Sequence, residues 1–246
     1  MAYKETHNRF TEWWMKIVIW REHHIKEKNF LLILALVVGV FCGFAAQLLK
    51  FLIHLIAGML TAHMNTTTAN WLYLVYPVVG ILIVTLFLKY VVKENISHGV
   101  TKVLYAISRR KSRLKKRNMY ASLVASSITI GFGGSVGAEG PIVFTGAAIG
   151  SNIGQAFRLS PRILMILVGC GAAAGIAGIF RAPIAGMLFT LEVLMIDLTG
   201  MTVMPLLLSS VAGAVVAYVL EGYSAEFFFV QSEAFATSRI PFTILL

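Results

Sequence analysis

Residues 30–49 carry no charged side chain. A helix of about 20 apolar residues is long enough to cross a bilayer, so this run commits the chain to membrane structure. The rest of the sequence agrees. Of its 246 residues 58% are hydrophobic and 13% charged, and the mean hydropathy is +0.79. Soluble domains carry about 25% charged residues.

The formal net charge is +10, which in a soluble chain would raise the question of nucleic acid. Its placement answers that question. Seven of the nine residues from Arg109 to Arg117 are basic, and Lys4, Arg9, Lys16, Arg21, Lys26 and Lys28 fall in the amino-terminal arm. Both clusters border apolar segments, where basic excess marks the cytoplasmic side and attracts anionic lipid. No groove-reading or base-stacking element accompanies them, so membrane lipid is the expected partner and nucleic acid is not. Cys42 and Cys170 lie in apolar segments without CxxC spacing and read as small buried hydrophobes; no metal site is expected. The polar, aromatic start lacks the pattern of a cleavable signal peptide. Within it, Phe10, Trp13, Trp14, Ile17, Val18 and Trp20 gather on one side of a helix over residues 8–28. That face suits either the membrane surface or the protein's own cytoplasmic side.

The first span is expected from about Phe30 to Ala62, strongly tilted, with Lys50 and His54 turned to protein or an interface. The loop from His63 to Asn70 lacks Lys and Arg, as an outer loop should; its Asn65 sequon is too short a motif to carry weight. Trp71, Tyr73 and Tyr76 open a second span that ends near Lys89 to Glu94. After it the pattern becomes irregular. A segment too short to cross starts at Ser97, a span from Tyr120 breaks at a glycine run, and Ile142–Phe157 follows. Ile163–Phe180 breaks at Arg181-Ala-Pro183 and resumes through Leu194, and Met201–Leu220 is the last clear span. Broken helices at membrane depth are costly unless they line a cavity or pack in protein. The small residues Gly146, Ala147, Ala148, Gly150 and Gly154, and those from Gly171 to Gly178, let helices approach closely.

The break Gly131-Phe-Gly-Gly-Ser-Val-Gly-Ala-Glu-Gly-Pro141 holds one carboxylate, Glu139. Pro141 fits the first turn of a helix, where its missing N–H costs nothing. Such a start leaves amide donors unpaired and carries about half a positive charge, which makes it an anion site. A titratable acid beside it suggests anion permeation under control of that acid.

These residues resemble the CLC family of chloride channels and proton-coupled chloride exchangers. Gly137-Ala-Glu-Gly-Pro141 matches the family's Gly-x-Glu-Gly-Pro motif, with Ala138 where Arg or Lys is frequent. Ser97-His-Gly-Val-Thr101 is similar to the first anion-binding loop, and Arg181-Ala-Pro-Ile-Ala-Gly-Met-Leu-Phe-Thr-Leu-Glu192 to the Asn-Ala-Pro-Leu-Ala-Gly…Glu segment. Order and spacing agree for all three, and the resemblance covers about residues 30 to 246. It implies an all-α integral membrane fold, a bundle of tilted and broken transmembrane helices forming the first of two inverted repeats. It also implies that Glu139 is the gating glutamate; the alternative is that Glu139 merely caps its helix. The anion would be held by Ser97, His98, Gly99, Val100, Gly137 and Gly140. His98 stands where a coordinating serine is usual, and Thr101 replaces the usual proline. His98 could donate a hydrogen bond or simply pack. Exchangers commonly carry a second glutamate after the position of Glu192; here Val193 stands at that inner proton-relay position, which favours passive conduction. Glu192 itself is expected to make a structural hydrogen bond near the cytoplasmic end.

The family's second half, with its Gly-x-Phe-x-Pro helix start and pore tyrosine, is not in the sequence. The expected organisation is a cytoplasmic amphipathic arm (1–29), a transmembrane half (30–220) and the opening of a truncated or split second half (221–246). The expected function is a chloride channel with a glutamate-gated pore. A proton-coupled exchanger and a non-conducting membrane assembly fragment are the alternatives. No enzyme motif appears, and no cofactor is expected beyond chloride as the transported ion. A homodimer, with Met201–Leu220 in the contact surface, or a complementary second half is the expected assembly. The expected location is multi-pass in the plasma (inner) membrane with basic loops cytoplasmic.

Overall fold

The computed structural model describes residues 26–62, 72–92, 99–195 and 199–222. The amphipathic arm through residue 25, the sequon loop and the segment from residue 223 onward lie outside the described residues. Within them the chain is helical and contains no strand. The helices are α1 (Glu27–Thr61), α2 (Leu72–Phe87, continued by a π-helical turn, Leu88–Val92), α3 (Gly99–Arg109) and α4 (Asn118–Gly131). There follow α5 (Glu139–Ala156), α6 (Pro161–Phe180), α7 (Pro183–Val193) and α8 (Gly200–Glu221). By length and composition, four described segments can cross a membrane: Glu27–Thr61, Val75–Val92, Pro161–Phe180 and Gly200–Glu221.

Helix α6 is the centre. It is apolar on every side, which is the signature of a buried helix, and it is buried from Ile163 through Ile179 except at Met165. Helices α1, α5, α7 and α8 all pack on it. The contact with α5 is backbone on backbone. A Cβ on Gly146 would lie 2.1 Å from the Gly171 carbonyl oxygen, and one on Gly171 would lie 1.9 Å from that of Gly146. On the other side, a Cβ on Gly213 of α8 would lie 2.5 Å from the Ala174 oxygen. The expectation that small residues draw these helices together is met in both places.

Helix α1 shows why a long apolar helix needs no polar face here. Leu31, Leu34, Ala35, Val38, Cys42 and Ala46 are buried toward the bundle, while Ile33, Phe41, Phe44, Leu48 and Phe51 are exposed. Both sets are apolar because the exposed set suits lipid. Cys42 and Cys170 are free thiols and fully buried, as expected of small hydrophobes.

Candidate functional site

The glycine run does end in a helix start. Residues 132–138 leave α4 with Gly133 in the left-handed region at φ +86°, and α5 begins at Glu139 with Pro141 in its first turn. Its N-cap residue, Ala138, makes no side-chain capping hydrogen bond. Proline has no N–H, so the amides of Glu139 and Gly140 are the donors this turn presents. The Glu139 carboxylate curls back over its own loop: Oε2 lies 2.0 Å from where a Gly137 Cβ would stand. Only glycine leaves room for that seat. Glu139 is exposed.

Helix α3 begins against the same turn. A Cβ on Gly99 would meet the Gly140 carbonyl oxygen at 2.7 Å and Phe144 Cβ at 3.0 Å. Two helix starts from segments 40 residues apart in sequence therefore abut through glycine. Both carry the positive end of their dipoles to one place. Of the residues expected to hold an anion, Gly99 and Gly140 are in van der Waals reach of each other, Gly137 lies under the Glu139 carboxylate, and Val100 is half-buried as the second residue of α3. Ser97 and His98 lie outside the described residues.

Val193 ends α7, half-buried against the core. Glu192 corrects one expectation. It is exposed and makes no side-chain hydrogen bond among the described residues. The helical period explains this: Ile184, Leu188 and Glu192 follow at steps of four on one face, and that whole face is open, with Ile184 64% and Leu188 54% exposed.

Sequence reading missed a polar network at another break. Arg181 adopts the left-handed conformation between α6 and α7, at φ 54°. Its guanidinium donates to the Glu221 carboxylate and, at 3.1 Å, to the Gly222 carbonyl. It also lies 5.7 Å from the centre of the Tyr218 ring. Lys50 Nζ donates to the same Glu221 oxygen at 3.2 Å, so Lys50 faces protein as expected, with an acid as its partner. One carboxylate thus ties α1, the α6–α7 break and the end of α8. Glu221→Gln removes the shared acceptor charge of two half-buried cations; because Glu221 is part-exposed the expected cost is about 2 kcal/mol. A fall of about 5 °C in the melting midpoint in detergent would match that, and an unchanged midpoint would not.

The chain matches the family model for voltage gated chloride channels over residues 79–246. It belongs to that family. It is 34% identical over 161 residues to a putative chloride channel protein, ClcB-like, of Ralstonia nicotianae, covering 64% of this chain and 38% of the relative. It is 26% identical over 223 residues to the H(+)/Cl(-) exchange transporter ClcA of Vibrio cholerae, covering 87% of this chain and 48% of the relative. Among solved structures it is similar to a CLC-type fluoride/proton antiporter, with a TM-score of 0.67 and 26% identity over 88% of this chain and 53% of that one. A slow cyanobacterial Cl-/H+ antiporter gives the same TM-score at 22% identity. The expected all-helical CLC-like membrane fold is borne out. The chain spans about half the length of these relatives or less.

Proposed function

We propose that this chain supplies one half of a chloride pathway, in which amides at the starts of α3 and α5 hold the anion and the Glu139 carboxylate competes for the same place. The observation that carries this is the contact of Gly99 with Gly140 and Phe144. It sets two helix starts side by side, and an acid with room to move sits on one of them. A carboxylate and a halide seek the same donors, so only one can be seated at a time. Protonation or displacement of Glu139 frees the donors without any change of fold.

Valine at 193 has no proton to give, and this supports passive conduction over coupled exchange. The antiporter identity of the structural neighbours favours the second reading, a proton-coupled exchanger. The two differ in one measurement. In liposomes holding this chain, or this chain with a complementary second half, a chloride gradient is expected to drive chloride efflux without proton uptake. Chloride-driven proton movement, abolished by an uncoupler, selects the exchanger. Folded protein with no flux in either arrangement selects a non-conducting assembly fragment. The basic linker after α3 is assigned to the cytoplasmic side by its charge. The exposed stripe Met204, Val211, Val215 and Val219 of α8 suits pairing with a second copy.

A further inference from the structure

Helix α3 touches α5 at two places, one at each of its ends. At its start, a Cβ on Gly99 would lie 2.7 Å from the Gly140 oxygen and 3.0 Å from Phe144 Cβ. Past its end, the Ser151 hydroxyl of α5 donates to the Ser112 carbonyl at 2.7 Å and accepts from the Leu114 N–H at 2.9 Å. Eleven residues make up α3, and eleven positions separate Gly140 from Ser151, each about 16 Å of helix. The two helices therefore run in the same direction and lie level, start beside start. Gly140, Phe144, Ser151 and Gln155 fall on one stripe of α5, and that stripe is the mount for α3.

Level, parallel helices bring like ends of their dipoles together. The two positive ends repel, and sliding α3 along α5 relieves them. Apolar packing resists sliding only weakly, because it is not directional. Of α3's residues Val103 and Ala106 are buried, and Val100, Leu104 and Ile107 half-buried. The hydrogen bonds at the far end are directional. Ser112 N–H donates back to the Ala106 carbonyl of α3 at 2.8 Å, while its own carbonyl accepts from Ser151. One residue thus links the last turns of α3 to α5. Gln155 Nε2 adds a second tie, to the Leu114 carbonyl at 3.0 Å and to the Ser151 hydroxyl at 2.9 Å.

Close packing alone would be served by alanine at 151. Instead that position is fully buried and carries a hydroxyl whose donor and both acceptor sites are all used. The turn it holds is buried at Ser112 and Leu114. It passes through left-handed backbone at Lys111 and Ser112, φ 51° and 61°, a conformation that persists only where surroundings impose it.

We infer that Ser151 and Gln155 are positioning residues for the anion site: from about 16 Å away they hold α3 level with α5 and so set how tightly the two helix starts hold an anion. The inference rests on the proposed anion pathway, but the register of α3 is measured apart from it. Spin labels at Tyr105→Cys on α3 and Ala156→Cys at the end of α5, both exposed, report that register in detergent without any flux. Cys42 and Cys170 are fully buried and stay unlabelled. Ser151→Ala is expected to shift or broaden the distance by at least about 1.5 Å, one residue of rise. In the conducting assembly its half-saturating chloride concentration is expected to rise roughly threefold or more. Gln155→Leu, at a half-buried position, should move both readouts in the same direction. Ser210→Ala removes an equally buried hydroxyl that bonds within its own helix, to the Leu207 carbonyl at 2.9 Å, and should move neither. A tie that served stability alone would lower the melting midpoint of Ser151→Ala and leave distance and half-saturation as in wild type. That result overturns the proposal, and so does a distance shift with unchanged half-saturation. If Glu139→Gln leaves efflux unchanged, the pathway reading fails and takes the affinity claim with it, while the label distances still decide the register.

Discussion

Gly171→Val is expected to abolish the native bundle. A side chain at 171 starts 1.9 Å from the Gly146 carbonyl oxygen, and the obstacle is backbone at the centre of a helix, which cannot rotate away. Helices α5 and α6 would have to separate along their length. That loses the close packing around Phe144, Ala147, Val168 and Ala172, all fully buried. Overpacking by a methyl or two costs about 1–3 kcal/mol where side chains can give; here they cannot, and a cost of at least ~4 kcal/mol is expected, in the range that unfolds marginal proteins. Gly146→Val should do the same. Gly58→Ala is the control with the opposite sign: among the described residues nothing lies within 4 Å of a Cβ there, and alanine in a helix interior is favoured over glycine by about 0.5–1 kcal/mol. Size-exclusion profiles and melting curves in detergent separate the outcomes. A folded, monodisperse Gly171→Val protein would mean that α5 and α6 do not pack as described.

Glu139→Ala carries the second large effect, on transport rather than stability. The carboxylate contributes about 0.3–1 kcal/mol to its helix through the dipole, and no side chain depends on it for a hydrogen bond among the described residues. The fold should therefore tolerate its loss. Its absence leaves the two helix starts open to halide, so flux should rise and become indifferent to acidification. Gly137→Ala approaches the same end by another route. Its Cβ would stand 2.0 Å from Glu139 Oε2, and a carboxylate at the end of a flexible chain can move where backbone cannot. It keeps the acid but evicts it from its seat. A glutamate that only capped its helix would give a small stability change in both variants and no change in flux.

Most of the bundle was legible because membrane helices announce themselves by length and missing charge. The spans expected at Phe30–Ala62, Ile163–Phe180 and Met201–Leu220 fall within a few residues of α1, α6 and α8. The helix starts at Glu139 and Pro183 were marked by proline and by the glycine or arginine break before them. What stayed hidden depends on pairs far apart in sequence. Nothing near Arg181 says that Glu221 will meet it 40 residues later, or that Lys50 will share that carboxylate. Ser151 reads as a small residue in a packing helix until its hydroxyl is seen holding the Ser112–Leu114 turn. Glu192 misled because a motif gives a residue its position along a helix but not which face of that helix remains open.

Two amide-lined helix starts contested by one acid are the core of this account, and chloride efflux tests it most directly. Efflux is followed from liposomes holding wild-type and Glu139→Gln protein, each assembled as a conducting unit, as the bath is acidified. Glutamine keeps the shape and cannot ionise. Wild-type efflux is expected to rise on acidification, with Glu139→Gln high at every pH. Wild-type and Glu139→Gln traces that rise together, or stay flat together, would contradict it.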